Sequence, residues 1–147
     1  MLDENRIREA EGNVRRYLEE GLLKKEKVPL IIQNTFLHNA QESFSVAEYL
    51  VPKSDFWIII ASYYSMFYAA NAVLCSLSYK VGDKISHKVT ADALIVMVRN
   101  KLKKSLLEDF EEAQDEALAG IKAEEIIKSF DWERDKRGRV QYDMTEV

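Results

Sequence analysis

Apolar residues recur at helical spacing along almost the whole chain. Ile7, Ala10, Val14, Tyr17 and Leu18 fall on one side of a 3.6-residue repeat, and Glu and Arg fill the other. The spacing predicts an amphipathic helix over about 2–23, with its charged back in water. Pro29 suits the first turn of a second helix, where its missing N–H is not needed. That helix, about 29–50, carries Ile32, Phe36, Ala40, Phe44 and Ala47 toward the core, and Pro52 ends it near Leu50. Ser54 is the predicted cap of a third helix, about 55–79. "KVGDK", 80–84, reads as a turn. Ser86 is the predicted cap of a helix over about 87–102, with Val89, Leu94, Ile95, Val98 and Leu102 inward. "SLLE", 105–108, has capping-box spacing and opens another. Gly120 predicts a break or bend. A last amphipathic segment, about 121–143, carries Ile126, Ile127, Phe130, Val140 and Tyr142. No stretch alternates cleanly with a two-residue period. The expectation is all-α: an up-and-down bundle of five or six helices in a single domain, 1–147.

The third helix is unusual. Phe56 to Tyr79 contains no charged residue, although 31% of the chain is charged. As a helix this run is about 36 Å long, enough to cross a bilayer. Its polar content predicts otherwise. Ser62, Ser65, Ala69, Ala72 and Ser76 form a stripe of small residues, and Tyr64, Tyr68 and Asn71 a polar stripe beside it. The run is expected to be the spine of the bundle, covered by other helices or by a second copy in a homodimer, with no membrane partner.

Composition narrows the chemistry. Five Gly and two Pro are too few for an all-β fold with its many turns. The net charge of -4 suggests no nucleic-acid partner in bulk, so such a partner needs a local basic patch. A single cysteine, Cys75, excludes an intramolecular disulfide and a cysteine-cluster metal site, and is expected to be a small buried hydrophobe. The opening "MLDENRIREAEG" lacks the pattern of a signal or transit peptide, so a cytoplasmic protein is expected. There is no phosphate-binding glycine loop, no hydrolase elbow and no metal-ligand spacing around the two histidines, His38 and His87; no cofactor or metal is expected. Two basic clusters stand out: Arg99, Lys101, Lys103 and Lys104, then Arg134, Lys136, Arg137 and Arg139. Each reads as a solvated helix end or as part of a groove for phosphates. His87, at a helix start, reads as a first-turn residue or an aid to anion binding.

At "ASYYSMFYAANAVL" the run resembles the HEPN domain family of helical bundles, through Tyr63, Tyr64, Met66, Phe67, Ala69 and Ala70. The pair Ser86-His87 opening the next helix, the Arg-rich "RDKRGRVQYD" and the preceding "NAQESFSVAEYLV" are similar to the family too, in the same order. The resemblance covers about 30–145. It implies a HEPN-like bundle with its central helix near a homodimer interface. It also implies one of several functions: a metal-independent RNase or toxin of a toxin–antitoxin pair, a companion of a nucleotidyltransferase, or a nucleotide-binding or scaffold module. The RNase members carry Arg, then His four to six residues on, in the last helix. Here no histidine follows His87, and Tyr142 stands where Arg137 would expect it.

A tyrosine near pKa 10 is only about one part in a thousand phenolate at pH 7, a shortage of up to about 4 kcal/mol against a histidine base. The resemblance therefore implies a nucleotide- or RNA-binding or regulatory module, with Arg99, Lys101, Lys103, Lys104, Arg134, Arg137, Arg139, Tyr142 and His87 as candidate contacts. It leaves two alternatives. One is an RNase using Arg137 and Arg139 on the phosphate and Tyr142 as acid/base; the other is a purely structural interaction subunit.

Overall fold

The computed structural model describes residues 2–129, with side chains through Lys122. It contains five helices and a two-stranded ribbon in the order α1 (Glu4–Glu20), β1 (Leu23–Lys25), α2 (Leu30–Leu50), α3 (Asp55–Ser76), β2 (Tyr79–Val81), α4 (Ser86–Val98) and α5 (Lys104–Ser129). The helical class expected from the pattern holds, and the ribbon corrects it. β1 and β2 pair antiparallel with Leu23 opposite Val81 and Lys25 opposite Tyr79. Glu26 N–H donates to Ser78 C=O and Gly82 N–H to Leu22 C=O, extending the pairing at both ends. The predicted first helix therefore stops at Glu20, where Gly21 takes φ +75° and closes it by a bond to Tyr17 C=O, a left-handed conformation that glycine adopts without steric cost. Part of the predicted 80–84 turn is strand.

Local capping explains most of the remaining boundaries. Asp3 accepts from Arg6 N–H at the start of α1, and Ser54 accepts from Trp57 N–H at the start of α3, as expected for the latter. Ser86 is not a cap. It is the first residue of α4, and Ile85 precedes it at φ +44° with no side-chain cap bond, a strained conformation for a β-branched residue. Ser105 likewise lies inside α5, which begins at Lys104. The helix also runs through Gly120 without a break. A Cβ there would come 3.1 Å from Phe56 Cε2, so glycine is the residue that lets α5 approach α3 closely. Ile126 and Ile127 continue α5; Phe130, Gly138, Val140 and Tyr142 lie outside the described residues.

α2 and α3 form an antiparallel hairpin. Ser65 Oγ donates to Ala40 C=O at 2.8 Å, and one turn along Phe36 packs on Tyr68. The small-residue stripe of α3 meets α2 here, as a close helix contact requires. The opposite face of α3 packs on α4 and α5, and α1 lies against α4. Tyr17, Leu23, Tyr63, Leu74, Val89, Ile95 and Val98 are fully buried at the centre. Cys75 is buried and its thiol pKa is raised by burial, in keeping with a packing role. Three residues expected inward are not: Leu18 and Leu102 are well exposed, and so is Phe44. α3 is long and apolar enough to cross a membrane by length and composition; in this fold it is flanked by α2, α4 and α5.

Candidate functional site

Three groups of polar residues have the makings of a site. The first is built on Asp92, which has no solvent exposure. Its carboxylate accepts from Tyr17 Oη at 2.7 Å and from Asn13 Nδ2 at 3.2 Å. Arg6 Nη2 lies 2.8 Å from its other oxygen as a charge contact and 2.7 Å from Glu111, while Arg6 Nε donates to Glu111 at 2.8 Å. The cluster thus joins α1, α4 and α5. Burial, with help from the Asp92 charge, pushes the Tyr17 hydroxyl pKa well above its ordinary value, so Tyr17 is a fixed donor. A buried carboxylate held by two hydrogen bonds and one ion pair, all from α1, is a clamp for that helix.

The second group is centred on Tyr63. Gln114 Nε2 donates to Tyr63 Oη at 2.9 Å and to the His87 carbonyl at 2.8 Å. Tyr63 Oη lies 2.6 Å from His87 Nδ1. With Gln114 donating to the oxygen, the Tyr63 proton is free to go to Nδ1, which leaves the histidine's own proton on Nε2. The imidazole stacks at 4.6 Å from Phe67, and Tyr64 and Phe110 complete the aromatic surround of Tyr63. Burial raises the Tyr63 pKa to about 12 and lowers that of His87. Both groups are therefore neutral near pH 7. This arrangement ties together the start of α4, the middle of α3 and the middle of α5.

The third group is the α4–α5 corner, which holds Arg99, Lys101, Lys103 and Lys104. Lys101 and Leu102 N–H both bond Val98 C=O, so the chain turns tightly before α5 begins at Lys104. Arg99 is half-buried with its guanidinium 3.5 Å from Glu11. Lys101, Lys103 and Lys104 are exposed. The first turn of α5 has no acidic residue, so the positive end of its dipole adds to the lysine charge. His87 is separated from this corner by the length of α4, about 18 Å between His87 and Arg99. Arg134, Arg137, Arg139 and Tyr142 lie outside the described residues.

Sequence reasoning missed Asp92, Arg6, Tyr17 and Gln114 as a polar framework. A signal existed for two of them. Asp92 is spaced three residues from both Val89 and Ile95, on the apolar stripe of α4. Gln114 continues the series Leu107, Phe110, Gln114, Ala117 on the inward face of α5.

Comparison with models of protein families, with curated proteins and with solved structures found no match to this chain.

Proposed function

We propose that this chain is a HEPN-like helical module that binds the phosphates of a nucleotide or RNA without cleaving it, as a homodimer that works with a nucleotidyltransferase-type partner. The observation that carries the binding reading is the α4–α5 corner. Three exposed lysines crowd a helix N-terminus whose first turn carries no acidic residue, in a chain whose net charge is -4. A phosphate there gains both from the lysine charge and from the N–H groups at the start of α5. The reading without cleavage rests on the sequence, which has no histidine beyond His87.

The test is fluorescence anisotropy with a labelled single-stranded RNA, competed by nucleoside triphosphates, across a salt series. Three phosphate contacts give a log–log salt slope of about -2. The double variant Lys103→Ala/Lys104→Ala should bring that slope to about -0.7. Absence of binding to RNA and nucleotide at low salt overturns the proposal. So does a slope that the double variant leaves unchanged. RNA cleavage in EDTA that Arg137→Ala abolishes would replace it with the RNase reading.

A further inference from the structure

The outer side of the α2–α3 hairpin is apolar and uncovered among the described residues. Leu30, Leu37, Phe44 and Val51 recur every seven residues along α2 and its C-cap. They are 67%, 44%, 57% and 64% exposed, where a lone solvated helix would carry charge. A seven-residue recurrence keeps a stripe straight along a helix that pairs with another helix. Beside this ridge, small side chains of α2 border α3 at Ser65. A shallow depression of about 440 Å³ elsewhere is lined by charged groups, but the one at the foot of Phe44, about 430 Å³, is lined by Ala40, Gln41, Phe44, Ser45 and Ser65. Ridge and furrow therefore share one face.

We infer that this face is the contact with a second copy of the chain, the Leu37–Phe44 ridge of each copy lying in the small-residue furrow beside Ser65 of the other. Three arguments select a second copy. A face that holds both a ridge and a furrow is complementary to itself under a two-fold axis, which is what an isologous contact demands. Charge permits it: the acidic and basic side chains of α2 are His38, Glu42 and Glu48. Glu42 lines the depression on the far side of the hairpin with Tyr64 and Tyr68, leaving Glu48, four residues from Phe44, as the one carboxylate of α2 on the ridge side, so each of two like faces brings a single α2 carboxylate to the seam. The flat footprint comes close to the size of a standard interface. Two helices side by side, each about 10 Å wide and about 32 Å long, present about 640 Å² before side-chain relief is counted. A stable dimer needs about 800 Å² per partner.

This inference deepens the dimer named in the proposed function by giving it a surface, and it is independent of the lysine corner. Sedimentation equilibrium of the full chain at about 1–100 μM measures it, in a range where specific dimers form. Wild type is expected to be a dimer. Leu37→Glu/Phe44→Glu, which would place charges in the seam, should raise the dimer dissociation constant at least about 100-fold, with the helical circular dichroism of wild type retained because both residues are exposed. Ile31→Glu, equally exposed but on another side of α2, should leave the dimer intact. A wild type that stays monomeric to the top of this range overturns the inference. A dimer that survives the double substitution, or one that Ile31→Glu dissolves equally, overturns it too. RNA anisotropy on the monomeric variant separates the two ideas: retained RNA binding leaves the lysine-corner reading standing whatever the oligomeric result.

Discussion

Asp92→Asn is the sharpest probe of what holds α1 in place. The substitution keeps the size of the side chain and an oxygen for Tyr17, and it removes the charge opposite Arg6. The carboxylate is fully buried, with Tyr17 Oη at 2.7 Å and Arg6 Nη2 at 2.8 Å. A hydrogen bond to a charged acceptor contributes about 1.5–3 kcal/mol, roughly twice a neutral one, so weakening the Tyr17 bond costs about 1 kcal/mol. Arg6 retains Glu111 and is partly exposed, so its loss stays toward the lower end of the range for breaking a buried pair, about 2 kcal/mol after solvent screening. The expected total is about 3 kcal/mol, or a melting temperature lower by about 6–12 °C for a chain of this size. The assay is urea unfolding followed by helical circular dichroism, with hydrogen exchange on α1. Exchange in α1 should accelerate more than in α3, because the lost contacts are those of α1. A loss below about 1 kcal/mol, or equal acceleration in both helices, would refute the clamp and reduce the cluster to incidental polar contacts.

Two further outcomes follow from the other contacts. Burial lowers the pKa of His87 from 6.5; as pH falls below 6.5 the unfolded chain binds a proton that the folded chain does not, so stability declines with falling pH until the folded-state pKa is passed. The decline stays well under the single-proton limit of about 1.4 kcal/mol per pH unit because the ring is only half-buried, and stability curves of His87→Asn should lack this component between pH 6.5 and 5; identical curves would refute it. Gly120→Ala gains about 1 kcal/mol of helix propensity but presses a methyl against Phe56 at 3.1 Å; it should be near neutral in wild type and stabilising by about 1 kcal/mol in a Phe56→Leu background, as measured by urea midpoints.

The helices were legible because their signals are local. The start of α3 follows from the Ser54 hydroxyl and its apolar body from the uncharged run, which overshoots the helix end at Ser76 into β2; the bounds of α2 follow from two prolines. β1 and β2 were not, since three residues cannot display a period and their pairing partner is far along the chain. Gly120 misled for a related reason. Its missing side chain serves a contact with Phe56 that only the packing of α5 on α3 creates, and within the helix it resembles a breaker. At the α4 entry the serine hydroxyl suggested a cap, but the backbone turns one residue earlier, at Ile85. For the candidate contacts, the lysines of the α4–α5 corner are exposed as their sequence suggests. His87 looked like an isolated first-turn residue because neither Tyr63 nor Gln114 is near it in sequence. Spacing from Ala40 and Ala47 predicts Phe44 inward, yet it stands at the edge of that arc and is exposed.

The Asp92 clamp also bears on the order in which the chain acquires its shape during synthesis. α1 is made before the other described elements, yet the groups that receive it, Asp92, Arg99 and Glu111, belong to α4, its C-cap and α5. At about 5–20 residues per second, roughly 4–15 s pass between the synthesis of Tyr17 and that of Asp92. Through that interval the α2–α3 hairpin, whose contacts are near in sequence, has time to form, while the apolar side of α1 has no native surface to meet. α1 is thus made well before the surface that seats it. The abundant charge of α1, four arginines and five glutamates between Glu4 and Glu20, keeps the waiting segment soluble until its receptor exists.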